Sequence, residues 1–434
     1  MKKLLALTLC VTLALALLAG CGGGGDTPAP DTSGGDTAPV EDAPSGESAA
    51  VESDGSDIEL SMWTYFSPEG DGQYIPGFVE QFEGLHPGIK INSQFVPRDD
   101  LLRQYTMGAV SGDLPDISMV DNPDHASFSA MGVFEDITDY IDAWGEQGFF
   151  FEGPMMSAMY EGRVYGLPNN SNCLALFYNV DMLEEAGVDV PTTWDELEAA
   201  CAVLSDGDVY GLAISAVKNE EGTFQFMPWF ISADGSIDDL GGPGPVRAVN
   251  FLNNLMDQGY MSRDVINWTQ GDANQQFING LAAMQVNGPW NVPNILNDAP
   301  DLNWAVALVP RDVKYASVLG GENFAIGANP TDLDAAVAFL TWFMSKEVNA
   351  EWCASTGKFP TRSDSLTLKD IWTEDPVFSV FGEGLQYAMP RGPHPRWPEI
   401  SEAISTAFHE VYTGARSAED ALQDAAAKYS ELVS

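Results

Sequence analysis

Positive charge is scarce in this sequence. The 434 residues contain 19 Lys and Arg against 64 Asp and Glu, a formal net charge of −45. When residues 1–57 are set aside, 55 acids still face 17 bases. Binding to nucleic acid requires clustered cations opposite phosphates, so this composition excludes nucleic acid as a partner. It also disfavours an anionic ligand, although a local group of bases could still recruit one.

Cysteine and histidine are also sparse. The five cysteines show no CxxC spacing, and an odd number remains once Cys10 and Cys21 of the N-terminal region are set aside. We therefore expect no disulfide framework, although one pair could form among Cys173, Cys201 and Cys353. The four histidines show no metal-ligand spacing, and we expect neither a metal nor a cofactor.

Catalytic motifs are equally hard to find. Residues 215–218 (SAVK) match an S-x-x-K pattern, but its usual partner motifs are missing. Gly357 and Lys358 lack the other positions of a phosphate-binding loop. The many carboxylates single out no pair for glycoside hydrolysis. We therefore expect a protein that is not an enzyme.

The N-terminus has the features of an export signal. Lys2 and Lys3 precede an apolar run over 4–19 that is shorter than the roughly 20 residues of a membrane span. Residues 18–21 (LAGC) resemble the lipobox of bacterial lipoproteins, which implies that Cys21 is lipidated. We expect a signal peptide over 1–20 and, over 21–57, the lipidated cysteine and a disordered acidic tether. The protein would then be extracytoplasmic and lipid-anchored to the cell membrane.

The remainder, about 377 residues, is long enough for two α/β domains. Strand-like runs alternate with helical periodicity, which favours largely parallel sheets. Apolar residues recur at helical spacing over 75–85, and residues 193–196 (TWDE) form a capping box. Strands are predicted over 58–65 and 116–120.

Several segments resemble one family in the order in which that family has them. Each is weak by itself, but together they cover nearly all of the chain beyond residue 58. The segments are 111–117 (SGDLPDI), 165–168 (YGLP), 176–179 (LFYN), 181–197, 283–290 (AMQVNGPW) and 345–362. This ordered set resembles the family 1 extracellular solute-binding proteins, the relatives of maltose-binding protein.

The resemblance implies a two-lobed, periplasmic-binding-protein-like (type II) α/β fold with a crossover hinge. One lobe would comprise 58–168 plus 311–345 and the other 169–310 plus 346–434, with crossovers near 167–173, 306–310 and 345. It implies a monomer that captures a sugar or oligosaccharide between its lobes and delivers it to the permease of an ABC importer.

Sugar sites combine aromatic rings, which stack on the sugar, with planar polar groups that bond its hydroxyls. Such groups are expected on loops beyond the carboxyl ends of the strands. The candidates on the first lobe, the crossovers and the second lobe are Tyr65, Phe66, Ser67, Asp121, Asn122, Asp124, Asn170, Asn172, Phe226, Trp229, Trp290, Gly321, Glu322, Asn323, Arg391 and Trp397.

Two other functions stay open at this point. A non-sugar solute such as a polyamine or an organic acid could be the ligand, and carboxylates such as Glu69 and Asp71 would favour the polyamine. A surface carbohydrate-active enzyme is the alternative from a different class.

Overall fold

The computed structural model describes residues 57–434, so the predicted signal peptide, Cys21 and residues 22–56 of the predicted tether lie outside the described residues. Strands and helices alternate along the described chain. The strands are β1 (Ile58–Thr64), β2 (Ile89–Phe95), β3 (Ile117–Asp121), β4 (Met159–Tyr160), β5 (Arg163–Val164), β6 (Gly166–Pro168), β7 (Ala175–Asn179), β8 (Tyr210–Ala213), β9 (Ala282–Asn287), β10 (Trp304–Ala307), β11 (Ser317–Leu319), β12 (Glu322–Ile326) and β13 (Ala388–Pro390).

Short 3-10 turns accompany the α-helices. The helices are α1 (Ile75–Leu85), α2 (Arg98–Ser111), α3 (His125–Ala130), α4 (Thr138–Trp144), α5 (Glu152–Ser157), α6 (Val180–Ala186), α7 (Trp194–Leu204), α8 (Glu220–Ser232), α9 (Pro243–Asp257), α10 (Gln270–Ile278), α11 (Asn291–Asp298), α12 (Leu333–Phe343), α13 (Lys346–Ser355), α14 (Ile371–Glu374), α15 (Pro376–Gly384), α16 (Trp397–Tyr412) and α17 (Ala418–Val433).

Two sheets define two lobes, as predicted. The first lobe contains a five-stranded sheet in the order β2-β1-β3-β12-β6. The second lobe contains a four-stranded sheet in the order β10-β7-β9-β8. Helices α8, α9, α16 and α17 pack together on the second lobe around a core that includes Trp229, Leu252 and Phe408.

Local signals in the sequence place several elements. Helix α1 begins and ends where its apolar spacing predicts, with Ile75, Phe78 and Phe82 buried. The capping box at the start of α7 is formed. The Thr193 side chain accepts a hydrogen bond from the backbone N–H of Glu196, and the Glu196 side chain accepts one from the backbone N–H of Thr193. Both elements are determined by interactions within a few residues, so the sequence alone predicts them.

The expectation of largely parallel sheets is wrong in part. Strand β1 is parallel to β2 and β3, and β8 is parallel to β9, but β12 and β7 are each antiparallel to both of their neighbours. Strands β7 and β12 are the first to follow a passage of the chain from one lobe to the other. Each runs opposite to the strands beside it, so both sheets are mixed.

The second crossover also differs from the expected position near 306–310. After β10 the chain stays on the second lobe, where β11 contacts α8, and it enters the first lobe only at β12. Gly320 and Gly321 make this passage. A Cβ on Gly320 would lie 2.2 Å from Asn172 Oδ1, and Gly321 has φ +145°, which favours glycine.

Helix α13 packs on the first lobe, although the boundary expected at 345 assigned it to the second. The Trp352 ring lies 5.6 Å from Phe66, 5.5 Å from Phe78 and 5.3 Å from Phe343. A single Trp at a helical position does not indicate which lobe it contacts. The chain thus returns to the second lobe only after α13.

Within residues 57–434, Cys173, Cys201 and Cys353 are buried free thiols. No helix in that range combines the length and the apolar character needed to cross a bilayer.

Buried His125 at the start of α3 makes the folding stability depend on pH. Its side chain is fully buried, 5.1 Å from the Phe134 ring, and burial lowers its pKa to about 3. Between pH 3 and about 6.5 the unfolded chain therefore binds a proton that the folded chain does not, so stability falls as the pH decreases through this window.

We expect His125→Gln to reduce the slope of unfolding free energy against pH by about 1.4 kcal/mol per unit between pH 4 and 6, measured by urea unfolding. Above pH 7.5 the slopes of variant and parent should coincide, which is the internal control. Equal slopes for variant and parent at pH 4 to 6 would contradict the assignment of this pH dependence to His125.

Candidate ligand-binding site

A cavity of about 390 Å³ lies between the lobes, beyond the carboxyl ends of β1, β3 and β9. Both lobes and the crossovers contribute to its wall. This is the position at which open α/β sheets bind ligands, because loops from several strands converge there.

The first lobe contributes the segment after β1 and the edge shared by β3 and β12. Tyr65, Phe66 and Ser67 follow β1 directly. Asp121 ends β3 and is paired in register with Glu322, the first residue of β12. This antiparallel pair brings two carboxylates to one edge of the sheet.

The second lobe contributes the N-terminal ends of α8, α10 and α11. Phe224 in α8 and Trp290 before α11 form an aromatic wall, with ring centroids 6.2 Å apart. A Cβ on Gly288 would lie 2.0 Å from the Trp290 ring, so Gly288 allows that ring its position. Gln270 and Asn291 present amides beside these rings.

Arg391, in the loop before α16, connects the two lobes. Its Nη2 donates to Asp121 Oδ1 (2.8 Å) of the first lobe, and its Nη1 donates to Glu220 Oε1 (2.5 Å) of the second. The guanidinium carbon also lies 4.5 Å from the centre of the Phe224 ring. Burial opposes its charge, but Asp121 and Glu220 outweigh this effect and raise the pKa of Arg391 above its ordinary value.

Two further cations are held by carboxylates. Arg98 Nη2 donates to Asp124 Oδ2 at 2.6 Å and lies 3.4 Å from Asp121 Oδ2. Lys358 donates to Asp71, and its Nζ lies 4.7 Å from the centre of the Phe66 ring. Burial raises the pKa of Asp124 to about 7 and Arg98 opposes this rise.

Several buried polar atoms in the wall lack a partner among residues 57–434. Within that range, no hydrogen bond reaches Arg391 Nε, Asn172 Oδ1 or Asn291 Nδ2, and all three side chains are more than nine-tenths buried. Unpaired buried donors and acceptors are costly, so they indicate a ligand that bonds them. Two donors and one acceptor suit groups that both donate and accept, such as hydroxyls.

Nine of the residues predicted from the sequence line this cavity. They are Tyr65, Phe66, Ser67, Asp121, Asn172, Trp290, Gly321, Glu322 and Arg391.

Four predicted residues do not line the cavity, and three of them bond side chains of its wall. Asn122 accepts from Arg391 (3.1 Å), and Asp124 holds Arg98. Asn170 donates to Glu322 Oε2 (2.6 Å), and Asn323 bonds Ser157 (3.2 Å). The first three position side chains that reach the cavity, whereas Ser157, the partner of Asn323, does not line it.

Three predicted aromatic contacts are wrong. Phe226 and Trp229 lie in the core of the second lobe, because α8 is buried on nearly all sides and Phe224 is the aromatic that faces the cavity. Trp397 is buried as well, and its Nε1 donates to Glu220 Oε2 (2.9 Å). It orients a carboxylate of the wall and does not line the cavity.

Sequence reasoning missed several wall residues, most of them charged or amide side chains. Charged residues in an acidic chain look like solvated surface, and only tertiary structure shows that they converge. The helix-start signals could have identified some: Asn219 caps α8 beside Glu220, and Thr269 caps α10 beside Gln270. The missed wall residues include Arg98, Glu220, Glu221, Phe224, Gln270, Asn291 and Lys358.

We expect Arg391→Ala to lower the free energy of unfolding by about 3–5 kcal/mol, because buried Glu220 is left without a cationic partner and Asp121 keeps only its longer contact with Arg98. Urea unfolding followed by circular dichroism measures this. Arg396→Ala is the matched control: Arg396 pairs with Glu399 at the surface, and its loss should change stability by less than about 1 kcal/mol. A similar loss of unfolding free energy in the two variants would contradict the role of Arg391 in bridging the lobes.

Comparisons with known proteins agree with this architecture. The chain is 25% identical over 387 residues to a binding protein of Brucella abortus, covering 87% of this chain and 93% of that one. It is 27% identical over 360 residues to the maltotriose-binding protein of Pyrococcus abyssi, covering 77% and 74%. The crystal structure of an ABC transporter solute-binding protein from Thermotoga lettingae, bound with α-D-tagatose, superposes with a TM-score of 0.78 at 27% identity, covering 87% of this chain and all of that one. Residues 77–379 match the family described as bacterial extracellular solute-binding proteins, and the chain therefore belongs to that family.

Proposed function

We propose that this protein is the substrate-binding component of an ABC importer and captures a sugar or short oligosaccharide between its lobes. The observation that carries the proposal is the pairing of an aromatic wall with unpartnered polar atoms in one cavity. Phe224 and Trp290 offer ring faces, while Arg391, Asn172 and Asn291 offer free donors and an acceptor. Aromatic faces and planar polar groups are what a ring bearing hydroxyls requires.

The relatives support the same ligand class. The Pyrococcus abyssi relative is a maltotriose-binding protein, and the Thermotoga lettingae structure is bound with tagatose. Both are 27% identical to this chain across most of its length. Sequence identity at this level supports a sugar as the ligand class and does not identify which sugar is bound.

The mechanism we propose follows from the position of the cavity. Residues from both lobes line it, so a ligand contacts both lobes only when they are together and thereby stabilises that arrangement. The joined lobes would then dock on the permease, and ATP would be hydrolysed by other chains. The protein acts as a monomer and is not an enzyme, and Cys21 anchors it to the outer face of the cell membrane by a lipid.

A thermal-shift screen of the purified protein against mono-, di- and trisaccharides tests the sugar assignment. A ligand at one hundred times its Kd adds about 2.7 kcal/mol to stability if it binds only the folded state, which is a readily measured rise in Tm. We expect Trp290→Ala to abolish the rise because the stacking face is lost. Trp144→Ala, a partly buried Trp outside the cavity, is the control and should retain it.

Recovery of the bound sugar after incubation, analysed by mass spectrometry, should return it unchanged. Cleavage of the sugar would contradict the assignment as a binding protein. The absence of a rise in Tm with any of the saccharides would contradict the assignment of a sugar as the ligand.

A further inference from the structure

The charges in the cavity wall do not balance. The wall contains three bases, Arg98, Lys358 and Arg391. It contains five acids, Asp71, Asp121, Glu220, Glu221 and Glu322. If all are ionised, the wall has two more negative charges than positive ones. Since charge in a confined space is poorly screened, this excess affects which ligand the cavity accepts.

Each base is already occupied by a carboxylate. Arg391 bridges Asp121 and Glu220, and Lys358 donates to Asp71. Arg98 contacts Asp121 in the wall and Asp124 behind it. These pairs account for three of the five acids in the wall. The negative excess therefore resides on the remaining two, Glu221 and Glu322.

In the described part of the chain, Glu221 and Glu322 are held only by neutral donors. Glu221 Oε1 accepts from Ser215 Oγ (3.1 Å) and from the backbone N–H of Gln270 (2.5 Å). Glu322 accepts from Asn170 Nδ2 (2.6 Å) and from the Tyr65 hydroxyl (3.4 Å). Among residues 57–434, neither has a Lys, Arg or His nitrogen within 4.0 Å. Burial raises the pKa of both carboxyl groups, and the more distant charges of Lys358, at Glu322, and of Arg98, at Glu221, only partly oppose this rise.

The two carboxylates lie on opposite lobes. Glu221 is in the first turn of α8, and Glu322 begins β12. The first turn of a helix favours a carboxylate, so the position of Glu221 in α8 could by itself explain why a carboxylate is found there. It does not explain Glu322, nor the unpartnered Arg391 Nε, Asn172 Oδ1 and Asn291 Nδ2, which are nine-tenths buried and line the same cavity.

The ligand that satisfies all of these groups has hydroxyls for the unpartnered atoms and a positive charge for the two carboxylates. On the basis of the proposed sugar-binding function, we propose that the ligand is an amino sugar whose ammonium group lies between Glu221 and Glu322. The neutral donors around each carboxylate leave acceptor capacity free, and an ammonium group can use it through three N–H donors. A neutral sugar would leave the excess charge in the cavity uncompensated.

Calorimetric titration of the purified protein tests this with matched ligands. Glucosamine, galactosamine and the β-1,4-linked glucosamine disaccharide are compared with glucose, galactose and cellobiose, and with the N-acetylated forms, which keep the shape and remove the charge. We expect at least one amine to bind about 10- to 100-fold more tightly than its neutral and N-acetylated counterparts. This range corresponds to one charge-assisted hydrogen bond.

Substitution of the two carboxylates identifies the residues responsible. Glu221→Gln and Glu322→Gln preserve shape and remove the charge, and each should reduce the ratio of amine affinity to neutral-sugar affinity at least about tenfold. Glu347→Gln is the matched control, since Glu347 also lies in the first turn of a helix, α13, but outside the cavity. It should leave the preference intact. If a Gln variant fails to fold, the comparison of ligands on the unaltered protein decides.

The outcomes separate this inference from the proposed function. Equal affinity for amino and neutral sugars would overturn the inference and keep the sugar-binding function. A preference for the amine that survives both Gln variants would overturn the assignment to Glu221 and Glu322. Binding of spermidine without binding of any sugar, or no binding of any saccharide, would overturn both.

Discussion

The burial of the Arg391 guanidinium is the constraint on which the cleft depends. Arginine remains charged at any physiological pH, so burying it requires carboxylates at fixed positions. One comes from the end of β3, as Asp121, and the other from the start of α8, as Glu220. These residues belong to different lobes and are 99 residues apart in sequence. Satisfying a single side chain therefore requires the two lobes and the loop before α16 to meet at one place.

The same side chain organises the surroundings of the cavity. Its guanidinium lies over Phe224, whose ring centre is 6.2 Å from that of Trp290, and Trp397 donates to the second oxygen of Glu220. Asp121, fixed by Arg391, stands beside Glu322 in the register of β3 and β12. The aromatic wall and the carboxylate edge are thus positioned by one network of charges. A ligand enters a site whose polar groups are already oriented, which lowers the entropy lost on binding.

The parts of the fold that follow from nearby residues could be predicted from the sequence, and the parts that require long-range pairing could not. Helix α1 and the cap of α7 depend on spacing within a dozen residues. The aromatic facing the cavity from α8 could not be chosen, because nearly the whole helix is buried and periodicity then gives no preferred face. Phe226 and Trp229 were as consistent with an aromatic contact from this helix as Phe224 was. Likewise, nothing local distinguishes Lys358, which enters the wall, from a lysine at the surface.

The interlobe ion pairs also affect how much binding free energy a ligand must supply to hold the lobes together. A ligand shifts an equilibrium between separated and joined lobes only by its differential affinity for the two arrangements. Full conversion from 1:99 to 99:1 would require about 5.5 kcal/mol from the ligand alone. Arg391 contacts both lobes through the protein's own side chains, so part of the free energy of joining is internal to the protein. The uncompensated charges on Glu221 and Glu322 act in the opposite direction, since joining the lobes brings them into one cavity. The balance between these two terms makes the charge of the ligand, and not only its shape, decide whether the lobes stay together.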